Sequence, residues 1–149
     1  MTDWLDDDQQ SAWRKLIEVV ELLPARLDSQ LRRDADLSHF DYFTLAMLSE
    51  AAGRTLRMTV LAALTHSTLP RLSHVVSRLA ERGYVERTPC PDDRRATNAV
   101  LTDLGWRKVV ASAPSHVDTV RELVFANLGA ADVADLDRIM AKILDNLGD

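Results

Sequence analysis

Between Leu69 and Arg82 the chain sets Leu72, Val75, Val76 and Leu79 at i, i+3, i+4 and i+7, so the spacing predicts a helix with one apolar face that must find a core. A Ser67-Thr68 cap, Pro70 in the first turn and Gly83 at the end supply its start and stop. The opposite face is polar in a particular way. At about 100° per residue, Ser73, His74, Ser77 and Glu81 point away from the core, with Arg71 and Arg78 on the flank. Short hydroxyls, an imidazole and guanidinium forks laid outward suit a helix that enters a DNA major groove and reads base edges. After Gly83, the runs Tyr84 to Thr88 and Ala99 to Thr102 are strand-like, and between them Pro89-Cys90-Pro91-Asp92-Asp93-Arg94-Arg95 is turn-rich and charged. Together they predict a hairpin with a basic tip.

Upstream, Ser38 with Asp41 three residues on is a capping signal for a helix whose Phe40, Phe43, Met47, Leu48 and Ala51 face inward before Gly53. Thr55-Leu56-Arg57 reads as a short strand completing the hairpin's sheet, and Met58 to Thr65 as a short helix carrying Leu61 and Leu64 into the core. Helix, helix, strand, basic tip, strand is the order of a winged helix-turn-helix, whose wing reaches the backbone or minor groove beside the helix in the major groove. The expected fold is therefore mainly α with a small β-wing. On the groove face, Arg71 is placed for a bidentate contact to guanine, and Ser73, His74, Ser77 and Arg78 for bases or phosphate. Thr68, at the helix start, suits a phosphate.

These residues resemble the MarR family of bacterial transcription regulators. The resemblance rests on Leu61-Ala62, on Arg78-Leu79-Ala80-Glu81-Arg82-Gly83 followed by Tyr84-Val85-Glu86-Arg87, on Asp93-Arg94-Arg95 and on Leu101-Thr102-Asp103-Leu104-Gly105, in that order. It departs from the family pattern at Leu69-Pro70, where polar residues often begin the reading helix. The resemblance implies a regulator, a repressor released by a small molecule, that binds double-stranded DNA as a homodimer. It further implies that Asp93 structures the wing by pairing with an arginine, that Arg95 enters the minor groove with Arg94 near it, and that a small aromatic effector binds beside His39, with Trp13, Tyr42 and Phe43 around it.

The flanks fit a dimer. Trp13, Leu16, Ile17, Val20, Leu23, Leu27 and Leu31 form one stripe over residues 9–33 that Pro24 is expected to bend. Residues 1–8 are acidic and expected to be frayed. After the wing, Asp103 to about Leu128 is helical with Pro114 as an expected kink, and beyond Gly129 the residues Val133, Leu136, Ile139, Met140, Ile143, Leu144 and Leu147 recur at heptad-like spacing. One MarR-type domain over 1–149 is expected, with a winged lobe at 38–105 and dimerisation helices at 9–33 and 106–147. These end helices carry more apolar surface than a small winged lobe can cover, and a second copy is the simplest sink for it. The alternative is a monomer whose end helices pack on one another.

The net charge of −5 argues against a nucleic-acid partner only until it is counted by region. Residues 54–108 hold ten arginines and lysines against five acids, a local +5, which leaves −10 for the flanks. A basic middle between acidic ends lets one lobe approach phosphate while the rest stays off it. An enzyme is not expected. Ser73 and His74 are adjacent on a helix and do not face each other, no Gly-rich phosphate loop occurs, and Asp92-Asp93 sits at a loop tip. His39, His66, His74 and His116 show no pair at metal-ligand spacing, so neither metal nor cofactor is expected. Cys90 is the lone cysteine and, with no second thiol to resolve it, reads as a small turn residue rather than a redox sensor. No stretch is apolar enough to span a membrane and no signal peptide is evident, so a cytoplasmic location is expected. A winged module that binds protein instead of DNA remains the rival reading; it would need neither the outward arginines nor the basic wing.

Overall fold

A computed structural model of the chain describes residues 1–148; Asp149, the last residue of the expected domain, lies outside them. The elements are α1 (Asp7–Ala35), α2 (His39–Glu50), β1 (Thr55–Arg57), α3 (Met58–Leu64), α4 (Leu69–Glu81), β2 (Val85–Cys90), β3 (Asp93–Leu101), α5 (Asp103–Val120), a π-helical turn (Arg121–Phe125) and α6 (Ala130–Leu147). They divide into two compact units, residues 1–116 and the residues from Val117 on. No helix among the described residues is long and apolar enough to cross a membrane.

Local chemistry sets each boundary. α1 starts earlier than its apolar stripe because Asp6 and Gln9 form a capping box, each side chain accepting the other's backbone N–H at 2.8 and 3.0 Å. It ends at Asp36, whose left-handed backbone (φ 52°) returns its N–H to the carbonyl of Arg32. Pro24 and Pro114 both sit inside continuous helices. The Ser38–Asp41 capping box opens α2 as the spacing predicted, and Thr68 Oγ1 accepts the N–H of Arg71 to open α4. Thr102 then ties three elements together. Its Oγ1 donates to the carbonyl of Gly83 (2.6 Å) and accepts the N–H of Gly105 (3.0 Å), so the turn after α4, the end of β3 and the start of α5 share one hydroxyl.

Residues 1–116 hold the core. Leu37, Leu45, Leu48, Leu61, Leu72, Val76, Leu79, Val85, Ala99 and Leu101 are buried together, with Met58, Ala62 and Val109 at the edges. The α4 stripe predicted from spacing is buried in full. Two inward assignments need correction. Leu64 is 44% exposed, because α3 has only seven residues and buries Met58, Leu61 and Ala62, a face that Leu64 misses by about 120° at 100° per residue. In α2 the fully buried face is Asp41, Thr44, Leu45 and Leu48, while Phe40 and Met47 are only partly buried against the core. Its polar members are satisfied: Thr44 Oγ1 donates to the carbonyl of Phe40, and Asp41 accepts from Ser38 and Arg78.

The sheet runs β1-β3-β2, all antiparallel. The expected tip at 89–95 is shorter than predicted: β2 continues to Cys90 and β3 begins at Asp93, leaving Pro91 and Asp92 as the turn. The register breaks at Pro89/Cys90, where proline has no N–H to give a partner strand. Cys90 is consequently a buried strand residue rather than a turn residue, and its Sγ accepts from the Arg57 guanidinium at 3.3 Å. Residues 117–148 are the converse of this lobe. None of them is buried, although Leu123, Phe125, Val133, Ile139, Leu144 and Leu147 are apolar.

Candidate nucleic-acid interface

The expected groove residues come from α4 and the wing, and the structure brings most of them to one side of the lobe in different local settings. His74 is exposed on the outward face of α4. Arg71 lies over the Phe40 ring, its guanidinium carbon 4.2 Å from the centroid, which steadies the side chain without using its donors. Arg78 is anchored. Its Nη2 donates to Asp41 Oδ1 at 3.1 Å, so this residue fastens α4 to α2 while half of its side chain stays in solvent. Arg71, His74 and Arg78 border an open groove of about 410 Å³ together with Arg32 and Phe40.

On the wing side, a cleft of about 200 Å³ is lined by Arg57, Arg87 and Arg95 with Thr59, Ser73 and Thr97. Three guanidinium groups with hydroxyls between them form a surface suited to a polyanion. At the tip Arg94 and Arg95 are both exposed. Asp93 does not pair with a guanidinium as the resemblance implied: its Oδ1 accepts the backbone N–H of Arg95 at 3.0 Å, an Asx turn that fixes where the Arg95 side chain leaves the strand.

Ser73 and Ser77 are not free hydroxyls. Arg87 Nη2 donates to Ser73 Oγ (3.0 Å), to Ser77 Oγ (2.9 Å) and to the carbonyl of Ser73. Arg87 and Arg57 were absent from the groove candidates read from sequence. The signal was there: in a strand, residues two apart share a face, and Arg87 is two beyond buried Val85, on the side where α4 lies.

The expected effector residues separate into two places. His39 stacks on Phe43 (6.4 Å, 9° between planes), and His116 meets both His39 (6.3 Å) and Tyr42 (4.6 Å). Trp13 does not belong with them. The backbone of His39 is bonded to Asp28, and Trp13 lies fifteen residues up α1 from there, roughly 20 Å at 1.5 Å per residue. His116, unforeseen, is held by Gln30 Oε1 at 3.2 Å, and Gln30 and Ser115 in turn donate to Asp34 at 3.0 and 2.6 Å. Ser115, Gln30 and Arg33 together hold the Asp34 carboxyl well below the usual carboxylate range. Burial pushes both histidines below their ordinary value, against the opposing charge of Asp28 at His39 and with the neighbouring His39 adding to the effect at His116; burial raises Tyr42.

Helix, turn, helix and an antiparallel hairpin with exposed arginines at its tip define a winged helix-turn-helix protein. A description of the MarR family matches residues 36–96, the lobe that carries this arrangement. Among solved structures the chain is similar to Sco3205 of Streptomyces coelicolor, a MarR family transcriptional regulator in complex with DNA, at 42% identity over 99% of this chain and 93% of that one, TM-score 0.95. It is also similar to AbsC, a MarR family transcriptional regulator from the same organism, at 38% identity over 98% of each chain, TM-score 0.92. The HTH-type transcriptional regulator YdcH of Bacillus subtilis (strain 168) is 31% identical over 93 residues, 61% of this chain and 63% of YdcH, so that alignment spans about three fifths of the curated relative. The chain belongs to the MarR family of transcriptional regulators, as its motifs indicated, and the family's members are regulators rather than enzymes.

Proposed function

We propose that this chain binds double-stranded DNA as a homodimer, with α4 in the major groove and the wing arginines, Arg95 foremost, in the adjacent minor groove. The single observation that carries this reading is the exposed surface of α4 and the wing: Arg71, His74, Arg78, Arg94 and Arg95 stand outward from a lobe whose core residues are buried behind them. Thr68 serves a phosphate, since its oxygen caps the helix and its O–H remains a donor. The DNA complex of Sco3205 supports the choice of DNA over a protein partner. The apolar side chains of α1 (Trp13, Ile17, Val20) and of residues 117–148 serve as dimerisation surface, which makes the operator a near-palindrome with half-sites about one turn, roughly 10 bp, apart. A dimer that simply occupies its operator excludes other proteins from it, so the regulator acts as a repressor, in the cytoplasm where its DNA is. An aromatic effector at the His39, Tyr42, Phe43 and His116 rings would release it, and a coupling of about 1 to 3 kcal/mol is enough to shift operator occupancy.

Selection of bound sequences from randomised duplex DNA, at two salt concentrations, tests the reading. An inverted repeat weakened by salt is expected, and Arg95→Ala should lower both affinity and salt slope, the slope by about 1. Recovery of no sequence by the folded protein would instead favour a protein-binding winged module.

A further inference from the structure

The Arg87 guanidinium reaches from β2 to the outward side of α4 and donates to the oxygens of Ser73 and Ser77, one helical turn apart. A guanidinium can only donate, whereas a serine hydroxyl has one O–H and two lone pairs and is ordinarily indifferent to whether it meets a donor or an acceptor. With a cation on its oxygen, each serine has a lone pair occupied and its proton turned away from the positive charge. Each hydroxyl is thereby biased toward donating on its remaining side.

We propose that Arg87 is a positioning residue that fixes the polarity of Ser73 and Ser77, so that α4 selects acceptor atoms at those two places and disfavours amino groups. The acceptors a major groove offers are guanine N7 and O6, adenine N7 and thymine O4; the amino groups are cytosine N4 and adenine N6. The Arg87 Nη2 is already shared among three acceptors on α4, which leaves that nitrogen little to offer a phosphate. Indifferent serines become directional by a contact within the protein. This inference rests on the DNA-reading function proposed above.

The test uses the full chain and the duplex recovered by selection, with each base pair of one half-site varied in turn. Single Ser73→Ala and Ser77→Ala variants identify the base positions that the two serines face. At those positions the unaltered protein should prefer acceptor over amino group by about three- to tenfold, the worth of one net hydrogen bond. Arg87→Ala should bring that preference close to one while leaving the slope of log Kd against log salt unchanged. In a Ser73→Ala, Ser77→Ala background it should change nothing further. If Arg87→Ala melts the lobe, Arg87→Lys keeps the charge without the planar fork and should lower the preference at the same positions. A salt slope lowered by about 1 with base preference intact would make Arg87 an ordinary phosphate contact and overturn the proposal. Unchanged preference at the serine positions would overturn it equally. Absence of base preference anywhere would be the separate failure of the DNA-reading function.

Discussion

Asp41 shows how much one side chain does at the joint between α2 and α4. It is 6% exposed, it closes the Ser38 capping box, and it holds Arg78 at 3.1 Å. Asp41→Ala removes both bonds and leaves Arg78 free to swing, so the folded state should lose about 1 to 3 kcal/mol in a denaturant titration. Gly105 is constrained differently. A Cβ there would lie 2.2 Å from the carbonyl oxygen of Tyr84, which is backbone and cannot rotate away. Gly105→Ala must push α5 off the end of β2, and it should lower stability by about 1 to 3 kcal/mol, seen as a lower Tm. Both residues lay within patterns readable from sequence, the Ser38–Asp41 cap and Leu101-Thr102-Asp103-Leu104-Gly105. Their second roles were not, since the Asp41 to Arg78 pair spans 37 residues and no local spacing encodes it.

At the scale of elements, α4 was the most legible, because a three-four apolar repeat and its cap are local properties of one segment. The wing was less so: strand ends depend on which partner backbone is within reach, and here pairing extended both strands into residues that composition marks as turn. Least legible was the joint of α1, α2 and α5, where Gln30, Asp34, His39 and Tyr42 meet Ser115 and His116, up to 86 residues apart. That joint should make the fold sensitive to acid. An unfolded histidine takes up its proton near pH 6.5, whereas His39 and His116 do so only at lower pH in the folded chain. Between those values the unfolded chain binds more protons, so the contribution of these two groups to stability is complete above about pH 6.5 and is lost as pH falls through the folded values. Asp28 near His39 opposes the effect without cancelling it, since the net shift is downward. Thermal melts should therefore show Tm falling as pH is lowered below 6.5, and His116→Gln should flatten that fall. An equal slope in the variant would place the acid sensitivity elsewhere.

For the whole molecule, the contrast between the two units bears on the proposed assembly. Every buried hydrophobic residue of the described chain lies at or before Val109, while α6 buries none, even though Val133, Ile139, Leu144 and Leu147 line its sequence. Apolar side chains left 38 to 74% exposed along that helix call for a covering surface, and the exposed face of α1 is of the same kind. The proposed second copy would supply it without requiring another protein. Ile139→Glu with Leu144→Glu places two carboxylates per chain in that surface and should convert the proposed dimer to monomer in sedimentation equilibrium. The winged lobe should stay folded, because its core draws nothing from beyond Val109. Binding to a duplex with two half-sites should then fall by about 10² to 10⁴-fold, the avidity lost when two linked contacts become independent. Binding to a single half-site should change little, which separates loss of assembly from loss of the reading surface. A variant that remained dimeric and kept its operator affinity would show that α6 is not the covered face.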